Sequence, residues 1–282
     1  MKPLDDEKFS GTKEVDEKLL IHSAKLQPWI DENVPNAGRI NLIEQFKGGQ
    51  SNPTYKITTD AKDLVLRRKP PGKLLPSAHA VDREYKVMTA LYETDVPVPR
   101  TYGLCEDDDV AGTAFFVMDF LDGDLFWDPM IPSMTNKDRT EIYKNKNKTL
   151  AKLHSVDFKK IGLDDYGKPG NYVARQVSRW SKQYRSSETD NIEAMNNLIE
   201  WLPNNIPDDD ETSIVHGDYR LDNMILKNNE VIGILDWELS TLGHPIADFS
   251  YHCLSWRTQE AFWDEAKLKE LGVPNEKEYM EM

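Results

Sequence analysis

Apolar residues recur along this chain at two different spacings, and the switch between them divides it. Val15, Leu19, His22, Leu26 and Ile30 stand three and four residues apart, the repeat of one helical face, so an amphipathic helix is expected to open the chain. Ile40–Phe46, Thr54–Thr59 and Leu64–Arg68 are apolar-rich runs parted by turn residues such as Gly48-Gly49 and Asp60, which predicts antiparallel strands. Val81, Tyr85, Met88 and Tyr92 return to helical spacing, and Pro97 and Pro99 end that helix because proline lacks an N–H and disfavours helix just before it. Two further strands are expected near Thr101–Cys105 and Thr113–Phe120, joined by the acidic turn Glu106–Asp109.

After Asp122-Gly123-Asp124 the pattern becomes helical, with candidates at Thr135–Val156, Tyr172–Ser186 and Ile192–Leu202. Short strands are expected at Ser213–His216, Met224–Leu226 and Val231–Leu235, and helix again near Ile246 and over Glu260–Leu271. The expectation is an α+β molecule with a sheet-rich lobe over residues 1–121 and a helical lobe over 122–282.

Composition narrows the function. Against 35 basic side chains stand 49 acidic ones, a formal charge of −14, which disfavours nonspecific contact with nucleic acid or an anionic membrane. The 2 cysteines, Cys105 and Cys253, are too few for a disulfide framework and wrongly spaced for zinc, as are the histidines. No apolar run approaches the ~20 residues of a membrane span, and the first residues lack a signal peptide's apolar core. A soluble intracellular protein is expected, cytoplasmic in the first instance with an organelle left open. Lys144, Lys146 and Lys148 read as a solvated face, and His154 as a packing or capping residue.

The densest chemistry lies in His216-Gly217-Asp218-Tyr219-Arg220-Leu221-Asp222-Asn223, followed by Ile234-Leu235-Asp236. Apolar strands lead into both pieces, which places Asp218 and Asn223 on one loop and Asp236 at the exit of the next hairpin. Two carboxylates and an amide oxygen brought together suit Mg²⁺, a hard ion that prefers oxygen. In phosphoryl transfer one Asp can take the acceptor's proton while an Asn and a second Asp hold metal on the phosphates.

These motifs resemble the aminoglycoside phosphotransferase and choline-kinase-like family, which shares the bilobal protein-kinase-like fold. The resemblance runs from about Phe46 to the end of the chain. It is strongest to the kinase-like N-terminal domain of the long acyl-CoA dehydrogenases, through Phe46-Lys47-Gly48-Gly49-Gln50-Ser51-Asn52, Arg67-Arg68-Lys69-Pro70-Pro71-Gly72-Lys73-Leu74-Leu75 and Ala78-His79-Ala80-Val81-Asp82-Arg83-Glu84-Tyr85. It implies ATP and Mg²⁺ as cofactors, Asp218 as catalytic base, and Asn223 and Asp236 as metal ligands. His216 would then brace the loop. Asp248 would either receive hydrogen bonds from the loop backbone or sit as an exposed carboxylate in a helix's first turn.

In the first lobe the resemblance implies that Ser51 and Asn52 meet phosphate beside Gly48-Gly49, a run otherwise readable as an ordinary hairpin. Val65 and Arg67 share a strand face by the period of two. Arg67 stands where the wider family carries Lys, and would bridge phosphate to Glu84, with Lys69 as a fallback. Without the resemblance, Glu84 reads as a solvated helix position. Phe115–Leu121 matches the kinase hinge, so backbone groups of Asp119 and Leu121 would meet an adenine edge.

Asp236-Trp237-Glu238 lacks the glycine of the protein-kinase metal motif, and 11 residues separate Asp236 from Asp248, little room for a peptide platform. The acceptor is therefore expected to be a small-molecule hydroxyl, and the resemblance points to a 4-hydroxyacyl-CoA, with an acyl-CoA dehydrogenase as pathway partner. Family members continue with helices that wall the acceptor cleft, so a chain ending at Met282 is expected to be C-terminally truncated. The alternative is a nucleotide-binding pseudokinase or regulatory module without turnover.

Overall fold

A computed structural model describes residues 10–48, 52–72, 79–258, 262 and 264–282. In chain order its elements are β1 (Thr12–Lys13), α1 (Ser23–Asn33), β2 (Ile40–Phe46), β3 (Thr54–Thr59), β4 (Asp63–Arg68), α2 (Val81–Leu91), β5 (Thr101–Cys105), α3 (Asp108–Ala111) and β6 (Phe115–Asp119). There follow α4 (Asn136–His154), α5 (Tyr172–Ser187), α6 (Glu193–Trp201), β7 (Ser213–Val215), β8 (Met224–Lys227), β9 (Glu230–Ile234) and β10 (Thr241–Gly243). The chain closes with α7 (Pro245–Cys253), α8 (Ser255–Thr258), α9 (Glu265–Leu271) and α10 (Glu276–Met280).

The first half folds as a six-stranded antiparallel sheet in the order β1-β2-β3-β4-β6-β5. β4 lies between β3 and β6, and from Leu64 to Arg68 every residue is buried, as a strand covered on both faces requires. Its register against β6 pairs Val65 with Met118 and Arg67 with Phe116. These four share one face, which turns towards the helical half of the molecule. Leu64, Leu66, Phe115 and Val117 occupy the other face and pack in a separate core with Leu26 and Ile30 of α1. One strand pair thus belongs to two cores.

α2 lies against the first of these faces and buries Val81, Glu84, Val87, Met88 and Leu91. Arg83 latches it to the second half: its guanidinium donates to the Tyr166 carbonyl at 2.8 Å and stacks over the Tyr166 ring at 4.3 Å. The second half is mainly helical, around α4, with the small hairpin β8–β9 and the pair β7–β10 supplying its loops. Thr135 caps α4 by accepting from the Asp138 N–H, and Asn275 with Glu278 forms a capping box on α10. Cys105 and Cys253 are both buried free thiols, and burial pushes the Cys253 thiol up to about 11.

The α+β arrangement, with an antiparallel sheet lobe and a helical lobe, is as the sequence predicts. Several local expectations change. The opening helix begins only at Ser23, because residues 17–19 form a 3-10 turn of their own. The acidic turn Glu106–Asp109 contains the short helix α3, capped by the Asp107 side chain and closed by Gly112 with φ 86°. Lys146 is no solvated lysine. It is 5% exposed among Tyr143 and Tyr219, and burial pulls its ammonium down to about 7, with Asp222 the largest opposing charge. Part of the helix expected over Glu260–Leu271 falls outside the described residues, as does Trp263. Trp256 is buried in the core.

Candidate active site

A cavity of about 710 Å³ opens between the sheet and the helical half. Its lining includes Arg67, Glu84, Asp119, Leu121, Asp218, Asn223 and Asp236, so seven of the nine residues expected at the site share one cleft. Ser51 lies outside the described residues. Asn52 is fully buried just behind the lining.

The loop after β7 carries Asp218. Gly217 holds φ 83°, and a Cβ there would come within 2.8 Å of the Leu239 carbonyl oxygen, so both backbone angle and space call for glycine. His216 is buried and uses both ring nitrogens: Nδ1 faces the Asp218 N–H at 3.2 Å and Nε2 faces the Leu235 carbonyl at 2.8 Å. These partners assign the proton to Nε2 and tie the Asp218 loop to the strand leading to Asp236. Beneath them Asp248 accepts from the N–H groups of His216 (2.8 Å) and Gly217 (2.9 Å), and from His154 Nε2 (3.2 Å). The loop-bracing alternative for Asp248 is the one observed, and His154 is drawn into it. Burial pushes the Asp248 carboxyl up, but the His154 hydrogen bond, the His216 ring and its N–H together hold it below its ordinary value of 3.8.

Both oxygens of Asp218 have partners. Asn223 Nδ2 donates to Oδ2 at 3.1 Å and to the Asp218 carbonyl at 2.9 Å, while the Tyr251 hydroxyl donates to Oδ1 at 3.3 Å. The amide donor of Asn223 is thereby committed, and its oxygen is the end left for a cation. Asp236 follows β9 with φ 63° and ψ 61°, a left-handed backbone that costs a non-glycine residue about 1–2 kcal/mol.

Arg67 reaches into this region from β4. Its Nε donates to Glu84 Oε1 at 3.0 Å and its Nη2 stands 2.5 Å from Asp236 Oδ1. Asn52 donates to Glu84 Oε1 at 3.0 Å and to Glu238 Oε2 at 3.5 Å, and its oxygen faces His79 Nδ1 at 3.1 Å. The Asn52 side chain is therefore turned towards carboxylates and not into the cleft. Glu84, 1% exposed, is pushed up to about 7, first by burial and then, against Arg67, by the charges of Asp236 and Glu238. One guanidinium faces three carboxylates. Oxygens of Glu84, Asp236 and Glu238 lie within 4.8 Å of one another, and Glu84 Oε2, although 2.9 Å from Arg67 Nε, receives no aligned hydrogen bond. An all-oxygen donor set with surplus negative charge fits a hard divalent cation.

At the end of β6, the Asp119 N–H is used by the Arg100 carbonyl (2.9 Å) and its carboxylate by the Tyr102 hydroxyl (2.6 Å). Of that residue, the backbone carbonyl is the group left for a ligand. Val65, Phe116 and Met118 supply the apolar wall beside it.

Glu238 and Tyr251 escaped the reading of the sequence. Glu238 had a signal, since it lies two residues from Asp236. Tyr251 had none, because it comes from α7 and meets Asp218 only through folding. Glu84 could have been recognised as buried, because it falls on the Val81–Val87–Met88 face of α2.

A model of the phosphotransferase enzyme family matches residues 42–281. The chain is 46% identical over 254 residues to acyl-CoA dehydrogenase family member 10 of Mus musculus, covering 88% of this chain and 24% of that protein. It thus spans about a quarter of the length of that curated relative. Among solved structures, a Ralstonia eutropha protein provisionally assigned as an aminoglycoside phosphotransferase is 47% identical, with a TM-score of 0.84 over 93% of this chain and 79% of that one. A thermostable mutant of aminoglycoside phosphotransferase APH(4)-Ia, in complex with ADP and hygromycin B, shares the fold at 13% identity, with a TM-score of 0.61 over 90% of this chain and 86% of that one.

Proposed function

The chain belongs to the phosphotransferase enzyme family, and from that premise we propose that it transfers the γ-phosphoryl group of ATP to a small-molecule hydroxyl. The observation that carries this reading is the meeting of Asp218, Asn223 and Asp236 with the Arg67–Glu84 pair in one cleft. Asp218 accepts the acceptor's proton, and Asn223 and Tyr251 hold its carboxylate in place. The Asn223 oxygen and the Asp236 carboxylate would hold Mg²⁺, with Glu238 close by. When bound, that ion would offset charge on the nucleotide's phosphates.

Arg67 is the cation for the inner phosphates, aimed by Glu84, and Asn52 enters by fixing Glu84. The Asp119 carbonyl and the Leu121 backbone meet the adenine edge against Val65 and Met118. His216 and Asp248 fix the loop in its reactive shape, so that reacting groups meet without a search.

A hydroxyacyl-CoA thioester is the first acceptor to try, because the relative named above is an acyl-CoA dehydrogenase family member. The test is a panel of hydroxyacyl-CoAs, choline and aminoglycosides incubated with Mg·ATP and read by mass spectrometry for a phosphate adduct. An adduct on a hydroxyacyl-CoA alone supports the full reading. Firm ATP binding with no adduct on any acceptor overturns it in favour of a nucleotide-binding regulatory module.

A further inference from the structure

Among the described residues, the lining of the cleft is short of positive charge. Glu84, Asp119, Asp124, Asp218, Asp222 and Asp236 line it, against Arg67 and Arg220 among the described residues. A nucleotide triphosphate would add several more negative charges. Arg67 is 7% exposed and already shared between Glu84 and Asp236, so it serves the back of the cleft. Arg220 is far more exposed. Its side chain is 54% exposed, it sits two residues from Asp218, and its Nε lies 3.9 Å from Asp218 Oδ1.

Its placement is built. The fork grips Asp222, with Nε donating to Oδ1 at 3.0 Å and Nη2 to Oδ2. The Asp222 side chain is itself only 12% exposed. Tyr251 joins the group, its hydroxyl donating to Asp218 and interacting with Arg220. An ion pair two residues apart with its guanidinium open to solvent contributes little to stability, so folding alone gives a weak reason for this arrangement. A pinned guanidinium beside a base, open to the cleft, suits an oxyanion that forms there.

We propose that Arg220 is a catalytic residue of this site, its guanidinium donating hydrogen bonds to the non-bridging oxygens of the phosphoryl group in flight. Asp222 is the positioning residue that aims it. The assignment rests on the phosphotransfer reading above and deepens it. In the step, a lone pair on the acceptor oxygen forms the new O–P bond. The bond from phosphorus to the β,γ-bridging oxygen breaks with its electron pair going to ADP, and the acceptor's proton passes to the Asp218 carboxylate. Arg220 makes and breaks no covalent bond. It offsets charge on the three equatorial oxygens, where that charge lies during transfer.

The experiment needs no identified acceptor, because water can take that place and yield ADP and inorganic phosphate. In the full chain, Arg220→Gln should slow hydrolysis of Mg·ATP on the order of 10²-fold or more, with ADP affinity changed less than about threefold. It should also abolish the extra affinity that aluminium fluoride lends to Mg·ADP, a planar mimic of the group in transfer. Arg220→Lys should restore part of both, because it keeps the charge and loses the fork. Asp222→Asn should slow hydrolysis less than Arg220→Gln while leaving ADP binding intact. Should Arg220→Gln fold poorly, the lysine and Asp222 variants carry the same comparison.

Unchanged hydrolysis and unchanged aluminium fluoride binding in Arg220→Gln would overturn the proposal. So would a variant whose only defect is a raised KM for an acceptor, which would place Arg220 on the acceptor's own charge. Failure of the underlying reading looks different: wild-type chain that binds Mg·ADP no more tightly with aluminium fluoride than without.

Discussion

The Arg67 guanidinium stands 2.5 Å from the Asp236 carboxylate, a contact across 169 residues of sequence that joins strand β4 to the loop after β9. Glu84 holds the same guanidinium from α2, so sheet, helix and the loop after β9 meet at one cation. Asp236 would have to divide its oxygens between that arginine and a metal ion. Replacing it with alanine should therefore weaken Mn²⁺ binding in the presence of ADP by at least about tenfold, read by electron paramagnetic resonance. Equal Mn²⁺ affinity in the two proteins would remove Asp236 from the metal site.

Asp218 should separate chemistry from binding. Asp218→Asn is expected to lower the rate of phosphate transfer by roughly 10²–10⁴-fold while ATP affinity by calorimetry changes little. Intact transfer in that variant would assign the base elsewhere.

Glu84 should leave a mark on the pH dependence of stability. Its folded pKa of about 7 lies above the ordinary 4.5, so between those values the folded state holds more proton than the unfolded one. Stability from this group is present below about pH 4.5 and is lost as pH rises through 7. Denaturant midpoints measured from pH 4.5 to 8 should fall across that window in the wild type and run flatter in Glu84→Gln. A variant that keeps the full slope would place the responsible group elsewhere.

Gly217 should tolerate no side chain. Gly217→Ala meets both the left-handed angle and the Leu239 carbonyl at 2.8 Å, and should lose about 1–2 kcal/mol or more of stability by chemical denaturation. Because this loop presents Asp218, phosphate transfer should fall with it. A variant as stable as the wild type would mean that the loop relaxes freely.

Much of the fold was legible because burial writes itself into spacing. The alternation of β4 put Val65 and Arg67 on one face, and the structure places both in the cleft. The motif around Asp218 was legible because one short loop carries most of its chemistry. The remainder depends on contacts between segments far apart in sequence. Lys146 read as solvated because its neighbours on α4 are polar, and only the packing of Tyr143 and Tyr219 encloses it. Asn52 read as a phosphate donor from its place beside the glycines, yet its amide is taken by Glu84 from another element. β7 was legible, but its partner β10 gave no sign, since Thr241–Gly243 is too short to show an alternation.

The two buried thiols lie in separate places, Cys105 at the end of β5 in the sheet and Cys253 at the end of α7. Neither can meet a bulky thiol reagent until its own surroundings open. Each lobe therefore carries a native clock for its own breathing. Timed modification of the two sites, resolved by peptide mapping with and without nucleotide, would report which half of the molecule a ligand quiets.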